Sequence, residues 1–163
     1  VFDECPPCTA SMEEVQGAVE RTLLWAKICR DQPRAESQLV FGIGQGGIFD
    51  EERQECAQEL VKLDFDGYAI GGLSVGEPEA DMMRITELTT PIFPEDKPRY
   101  AMGLGTPSQI VELVARGVDL FDCVLPTRVA RNGALFTKTG RVDIMAQKYK
   151  TNAKLKSSTA IYF

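Results

Sequence analysis

The run Leu120-Phe121-Asp122-Cys123-Val124-Leu125-Pro126-Thr127-Arg128 sets one acid in the middle of an apolar, strand-like stretch. A carboxylate there is costly to bury unless it is paired or carries chemistry. Arg128 and Arg131-Asn132-Gly133 follow at once, reading as a compact cationic turn of phosphate size. A nucleophilic carboxylate beside such a patch points to chemistry on a sugar–phosphate polymer. A second acid, Asp3, lies in the first strand-like run. Paired carboxylates can run glycosidic chemistry, one attacking the anomeric carbon while the other handles the proton. The plainer alternative is that each acid caps a loop or pairs with a cation such as Arg128. Spacing alone favours neither.

Two glycine-rich loops sit between these acids. Gly42-Ile43-Gly44-Gln45-Gly46-Gly47 matches a dinucleotide fingerprint in form only. No acid at the end of a following strand is placed for a ribose, and Gln45 is unusual in such a loop, which argues against dinucleotide binding. A tight turn that something approaches closely is the simpler explanation. With Gly71-Gly72 on the next strand, two glycine-lined approaches lie side by side, leaving room for a flat ligand such as a purine-like base. Cys5-Pro6-Pro7-Cys8 is a CxxC, but a redox pair belongs at a helix N-terminus, and the next helix starts only near Ser11. A zinc knuckle needs more ligands than a chain with no His and no second close Cys pair can give. The expectation is a loop with Cys5 buried and Cys8 incidental.

The positioning elements follow from pattern. Val1–Cys5 reads as a short strand. Ser11 and Glu14 form a capping box, opening a helix with Val15, Ala18, Val19, Thr22, Ala26 and Cys29 on one face and ending before Pro33. A second strand spans 39–43, and a helix runs over about 50–63 with Cys56, Leu60 and Leu63 inward. A third strand covers 67–73. A helix follows over roughly 77–88, with Pro78 in its first turn. Pro91, Pro94 and Pro98 lead into a strand at 99–104. Thr106, Pro107 and Gln109 start another helix, which Gly117 stops. The fifth strand is 120–125. After it the alternation at 134–137 and 141–144, around Lys138-Thr139-Gly140, predicts a hairpin.

Five strands with four helices between them predict an α/β fold with a parallel sheet. A doubly wound sheet and part of a (β/α)8 barrel both fit. Asp3, Gln45, Gly72, Gly103 and Asp122 fall at the C-terminal ends of successive strands, the rim where a barrel draws its active site. The reading is therefore a partial (β/α)8 barrel, about its last five strands, over residues 1–150, followed by the hairpin. Residues 151–163 stay an unassigned tail.

Size and charge bound the rest. At 163 residues, 44% of them hydrophobic, the chain is at most one ordinary domain of a globular protein. It has no apolar run of membrane length and no secretory-type start. A start at Val1 that leads straight into a strand suggests a piece of something longer. Five irregularly spaced cysteines argue against a disulfide framework and fit a reducing cytoplasm. The net charge of −6 speaks against a generic nucleic-acid binder. It hides a split, because residues 124–163 hold eight Lys/Arg against Asp143 alone. Such asymmetry marks a basic surface for a polyanion. For residues 147–163, a solvated tail explains the charge equally well.

Five segments in order resemble the tRNA-guanine transglycosylase (queuine tRNA-ribosyltransferase) family. They are Phe2-Asp3-Glu4-Cys5, Gly42-Ile43-x-Gln45-Gly46, the run from Asp66 to Glu77, Met102-Gly103-x-Gly105, and Phe121 to Arg128 with Arg131-Asn132-Gly133. The likeness covers about residues 1–150. It implies a (β/α)8 barrel with a zinc-bearing insertion and an exchange of the wobble guanine of tRNA for a 7-deazaguanine. By this resemblance Asp122 is the nucleophile, attacking C1′ and holding the tRNA as a covalent glycosyl-enzyme until the incoming base displaces it. Two displacements give retention. Asp3 would bind the N1 and 2-amino edge of the base, and Gln45 with the Gly72 N–H its carbonyl oxygen. The Leu73 carbonyl, supported by Glu77, would read the 7-substituent, with Met102 on the face of the base. Arg128 and Arg131 would contact the anticodon loop, from which such enzymes take an unstacked base. Cys5 and Val75 look like the bacterial pattern, which accepts 7-aminomethyl-7-deazaguanine.

The departures are equally specific. The family's second catalytic aspartate and the aromatic that covers the other face of the base lie on an earlier strand. Zinc is expected for the full-length family, but its Cys-x-Cys-x-x-Cys and later His have no counterpart in residues 148–163. A partial barrel exposes sheet edges and an apolar inner face. It is expected to dimerise, aggregate or pair with the missing part, with a homodimer favoured. The alternative is a truncated, catalytically incomplete paralogue acting as a binding or structural subunit.

Overall fold

A computed structural model describes residues 1–137 and 140–147. Lys138 and Thr139 of the expected hairpin turn, and the tail from residue 148 on, lie outside the described residues. Helix α1 is Met12–Arg30, and its capping box joins the Ser11 side chain to the Glu14 backbone and the Glu14 side chain back to Ser11. A box of this kind contributes about 1 kcal/mol. Strand β1, Phe41–Gly44, is followed by α2, Asp50–Lys62, then β2, Gly67–Ile70, and α3, Glu79–Thr89. A short 3-10 turn, Thr90–Ile92, precedes β3, Arg99–Ala101. Helix α4, Pro107–Ala115, opens on the predicted Thr106–Gln109 box and leads to β4, Leu120–Phe121. Helix α5, Leu125–Arg131, precedes the antiparallel hairpin of β5, Ala134–Thr137, and β6, Gly140–Asp143.

The sheet order is β1-β2-β3-β4, all parallel. It runs without a reversal, whereas a doubly wound sheet reverses at its switch point. The sheet is not closed. Its two faces differ because successive residues of a strand point to opposite sides. Gly42, Gly44, Tyr68, Ile70 and Ala101 point to the helices and are buried with Val15, Val19, Ala57, Leu60, Ile85 and Leu113. Tyr68 stacks on Phe93 at 4.9 Å and meets Phe65 edge-on at 6.3 Å. The other face carries Phe41, Ile43, Ala69, Tyr100 and Leu120 in register and lines an open cleft of about 540 Å³.

Two predicted elements need correction. Val1–Cys5 is not a strand, so the sheet has four parallel strands, not five. The Val1 amino group donates to Phe41 O at 3.1 Å, but the Glu4 N–H turns to Thr22 Oγ1 at 3.0 Å. The segment lies beside β1 without building a ladder, and Pro6-Pro7 prevents it from continuing. The cationic turn at 128–133 is the end of a helix, α5, which Pro126 opens and Gly133 closes at φ +73°. Accordingly β4 ends at Phe121, short of the expected 125. Strands β2 and β3 also stop early, at Ile70 and Ala101, because Gly72 and Gly103 take φ of +66° and +70°. Of the helix faces, Cys29 and Leu63 are only half-buried. Cys5 is exposed rather than buried, and Cys8 is half-buried.

Candidate active site at the strand ends

Gln45, Gly72, Gly103 and Asp122 each follow the C-terminal end of one strand, β1 to β4 in turn. This happens because each strand breaks where a positive-φ glycine or a polar residue leaves the ladder. Two clusters result.

The first is built around Gln45, whose side chain is fully buried. Its Nε2 donates to Asp3 Oδ2 at 2.6 Å, which brings the N-terminal segment onto the rim. Its Oε1 is a buried acceptor that finds no donor among the described residues. Beneath it lies Arg53 of α2, 1% exposed, a residue that sequence reasoning did not single out. The guanidinium donates through Nε to Gly47 O at 2.7 Å and through Nη1 to Gly71 O at 2.6 Å. Longer bonds of 3.3 Å reach Gly44 O and Gly72 O. Burial pulls the Arg53 guanidinium down to about 10, so it stays charged at neutral pH. A Cβ on Gly72 would sit 2.7 Å from Gln45 Oε1 and 2.8 Å from Arg53 Nη2. The space predicted between the two glycine loops for a flat base is therefore filled by the chain's own Gln45 and Arg53. Cys5, two residues from Asp3, is exposed as a whole, although its sulfur end is partly covered. Burial of that end, then the charge of Asp3, push the thiol up.

Glu77 secures the next turn. Its carboxylate accepts from Ser74 N at 2.5 Å and Val75 N at 2.8 Å. Ser74 N–H and the Leu73 carbonyl belong to one peptide unit, so Glu77 fixes the direction of that carbonyl.

The second cluster centres on Asp122. It is exposed, one residue past β4, so the burial cost expected from sequence does not arise. Its Oδ1 accepts from Tyr100 Oη and from Gly103 N, both at 2.7 Å, and Oδ2 takes part in neither bond. The Tyr100 hydroxyl first, then the Gly103 N–H, hold the Asp122 carboxyl below its ordinary value. The same bond pushes Tyr100 up to about 12. Asp122 is thus ionised at neutral pH and pairs with Tyr100 and Gly103 rather than Arg128. Tyr100 was missed in the sequence. Met102, two residues on along β3 and past its end, lines the same cleft as Tyr100. Arg128 and Arg131 are exposed on the last turn of α5, three residues apart and so on one face. Arg128 borders a cavity of about 260 Å³ with Ser74, Gly103, Thr106 and Val124.

The described residues include no group of three or more His, Cys, Asp or Glu that could hold a metal ion. The zinc expected of the full-length family finds no ligand set among the described residues. No helix among these residues is long and apolar enough to cross a membrane.

An unreversed parallel sheet with carboxylates and glycine turns gathered at its strand ends defines an α/β protein with a rim site of the barrel kind. Comparison with known proteins narrows this. The family model described as "Queuine tRNA-ribosyltransferase" matches residues 1–160. The chain belongs to the queuine tRNA-ribosyltransferase family. It is 53% identical over 150 residues to the queuine tRNA-ribosyltransferase of Bacillus velezensis and 51% to that of Bacillus subtilis. Each alignment covers 91% of this chain and 39% of the relative. The Macrococcus caseolyticus protein of the same name is 53% identical, with 40% of its length covered. The chain thus spans about two-fifths of these relatives.

Proposed function

We propose that this chain carries the nucleophile and much of the base-recognition wall of a tRNA-guanine transglycosylase, which replaces the wobble guanine with a 7-deazaguanine. The supporting observation is Asp122: an exposed, ionised carboxylate fixed by two donors on one oxygen, on the same rim as Asp3, Gln45 and Gly72. A carboxylate held this way cannot rotate freely, and its Oδ2 can meet C1′ of a ribose in line. Attack forms an Asp122–C1′ ester as the C1′–N bond breaks and its electron pair leaves with guanine. The incoming base then displaces the carboxylate from the opposite face, its ring N–H proton being given up as the departed guanine takes one, so that the protons balance and the net outcome is retention. Asp3 reads the amidine edge of the base, Gln45 and the Gly72 N–H its carbonyl oxygen, and the Leu73 carbonyl a 7-aminomethyl group. Met102 packs on the ring. Arg128 and Arg131 take phosphates of the anticodon loop.

A second reading draws on the bare inner face of the sheet. Phe41, Ile43, Tyr100 and Leu120 line an open cleft there, and the chain spans 39% of its relatives. In that reading the isolated chain is a binding or structural subunit that lacks the rest of the catalytic wall. Incorporation of labelled guanine into a tRNA with wobble guanosine separates the two. Incorporation by the 163-residue chain, lost in Asp122→Asn, supports base exchange. Retained tRNA binding without incorporation supports the subunit reading and refutes exchange by this chain.

A further inference from the structure

We propose that Arg53 is a positioning residue of the base site: its buried guanidinium fixes and polarises the Gly71–Gly72 peptide, so that the Gly72 N–H is presented to the carbonyl oxygen of the base. The inference rests on the base-recognition reading above and assigns that site a residue from outside it.

The geometry is that of one peptide unit held from behind. Arg53 Nη1 donates to Gly71 O at 2.6 Å. That carbonyl and the Gly72 N–H belong to the same trans peptide, where C=O and N–H point in opposite directions. Gripping the oxygen therefore aims the hydrogen away from Arg53. Nη2 takes Gly72 O, and Nε and Nη1 take Gly47 O and Gly44 O of the neighbouring loop. Four carbonyls from two loops thus converge on a single cation. Among the described residues none of its bonds goes to a carboxylate. The charge is spent on backbone dipoles, which strengthens the opposite N–H as a donor, since a charge-assisted bond at one end of a peptide polarises the other.

Two further observations tie this to the ligand side. A side chain at Gly72 would run into Gln45 Oε1 and Arg53 Nη2, so only glycine lets this peptide lie so close to the guanidinium. Glu77 performs the mirror-image task two peptides later, holding Ser74 N–H and thereby the Leu73 carbonyl. A buried cation behind a donor and an anion behind an acceptor form one preorganised edge. A residue that merely tied loops together would need neither the charge nor this pairing.

The test uses the 15N-labelled chain with Arg53→Gln and Arg53→Lys, read at the Gly72 amide. Without ligand, Arg53→Gln should move the Gly72 amide proton resonance upfield, the sign of a less polarised N–H, with Arg53→Lys between the two. With 7-deazaguanine, Arg53→Gln should weaken binding about tenfold or more, and Lys should restore part of it. With 2,6-diamino-7-deazapurine, which has an amino group in place of the carbonyl, the variants should bind like the parent. A Gly72 amide unchanged by Arg53→Gln, or equal losses for both bases, overturns the inference. If neither base reaches Gly72 in the parent chain, the base-recognition reading fails, and the ligand-free amide still decides what Arg53 does. If Arg53→Gln does not fold, the same comparison in Arg53→Lys applies, and an unshifted Gly72 amide there overturns the proposal.

Discussion

The two ends of the rim are built in opposite ways. At the Gln45–Gly72 end the polar side chains are packed in place: Gln45 is 0% exposed, Arg53 1%, and Gly72 has no room for a side chain. At the Asp122 end the carboxylate, Arg128 and Arg131 are all exposed. Only Oδ1 of Asp122 is held, and the arginines stand on the end of a seven-residue helix. Under the proposed base exchange, the difference matches what each end would have to admit. A small planar base is discriminated by donors and acceptors that cannot rearrange, because a mismatched buried group stays unpaired. A ribose within a folded RNA arrives with its phosphates, so that end must stay open, and its charges act at longer range.

The contrast can be broken most strongly at the nucleophile. Asp122→Asn should lower base exchange by about a thousandfold or more while moving guanidinium denaturation by only about 1 kcal/mol or less, because the side chain is exposed and an amide oxygen can still accept from Tyr100 and Gly103. At the other end the order reverses. Arg53→Leu takes the guanidinium from four carbonyls, of which Gly44 O still keeps the Gly71 N–H, and should cost about 3 kcal/mol or more in the same denaturation experiment. Gly72→Ala meets both a φ of +66° and two contacts under 3 Å, so a stability loss of about 1–3 kcal/mol should accompany weaker base binding. If either change instead weakened tRNA binding as much as base binding, the two ends would not be separable.

Tyr100→Phe sharpens the comparison without unfolding anything. It removes the larger of the two donors that depress Asp122, so the carboxyl pKa should rise toward its ordinary value, followed by carboxylate NMR titration. The sign is that of a depressed acid: the stabilisation is present above the unfolded value, fades as pH falls through the folded one, and shrinks in the variant. Reciprocally, Asp122→Asn should bring Tyr100 down from about 12 in a tyrosinate absorbance titration. The smallest expected effect is at Arg128→Ala. It should reduce the salt dependence of tRNA binding by about one unit of slope and leave free-base affinity untouched.

Much of the scaffold could be read in the sequence because its signals are local. The Ser11–Glu14 and Thr106–Gln109 boxes, the Gly117 stop and the hairpin alternation each need only a few neighbouring residues. The errors arose where distant partners decide. Val1–Cys5 has strand composition, yet its backbone finds Phe41 and Thr22 instead of a ladder. Leu125 reads as the last residue of an apolar strand, although the Pro126 that follows it also opens helices. Arg53 follows Asp50-Glu51-Glu52 and reads as a solvated charge. Its spacing to Cys56, Ala57 and Leu60 places it on the buried face of α2 and was the available signal. Tyr100 needs the β3–β4 register, which no local pattern supplies. The rim residues could be listed in order from the motifs. Their division into a closed end and an open end could not.

The central claim is that Asp122 bonds to the ribose. Intact-mass measurement of the chain after denaturing quench from a reaction with tRNA tests it directly. The account predicts a species with the mass of protein plus tRNA less guanine, present in the parent and absent in Asp122→Asn. An adduct that persists in that variant, or guanine exchange with no adduct in the parent, would contradict it.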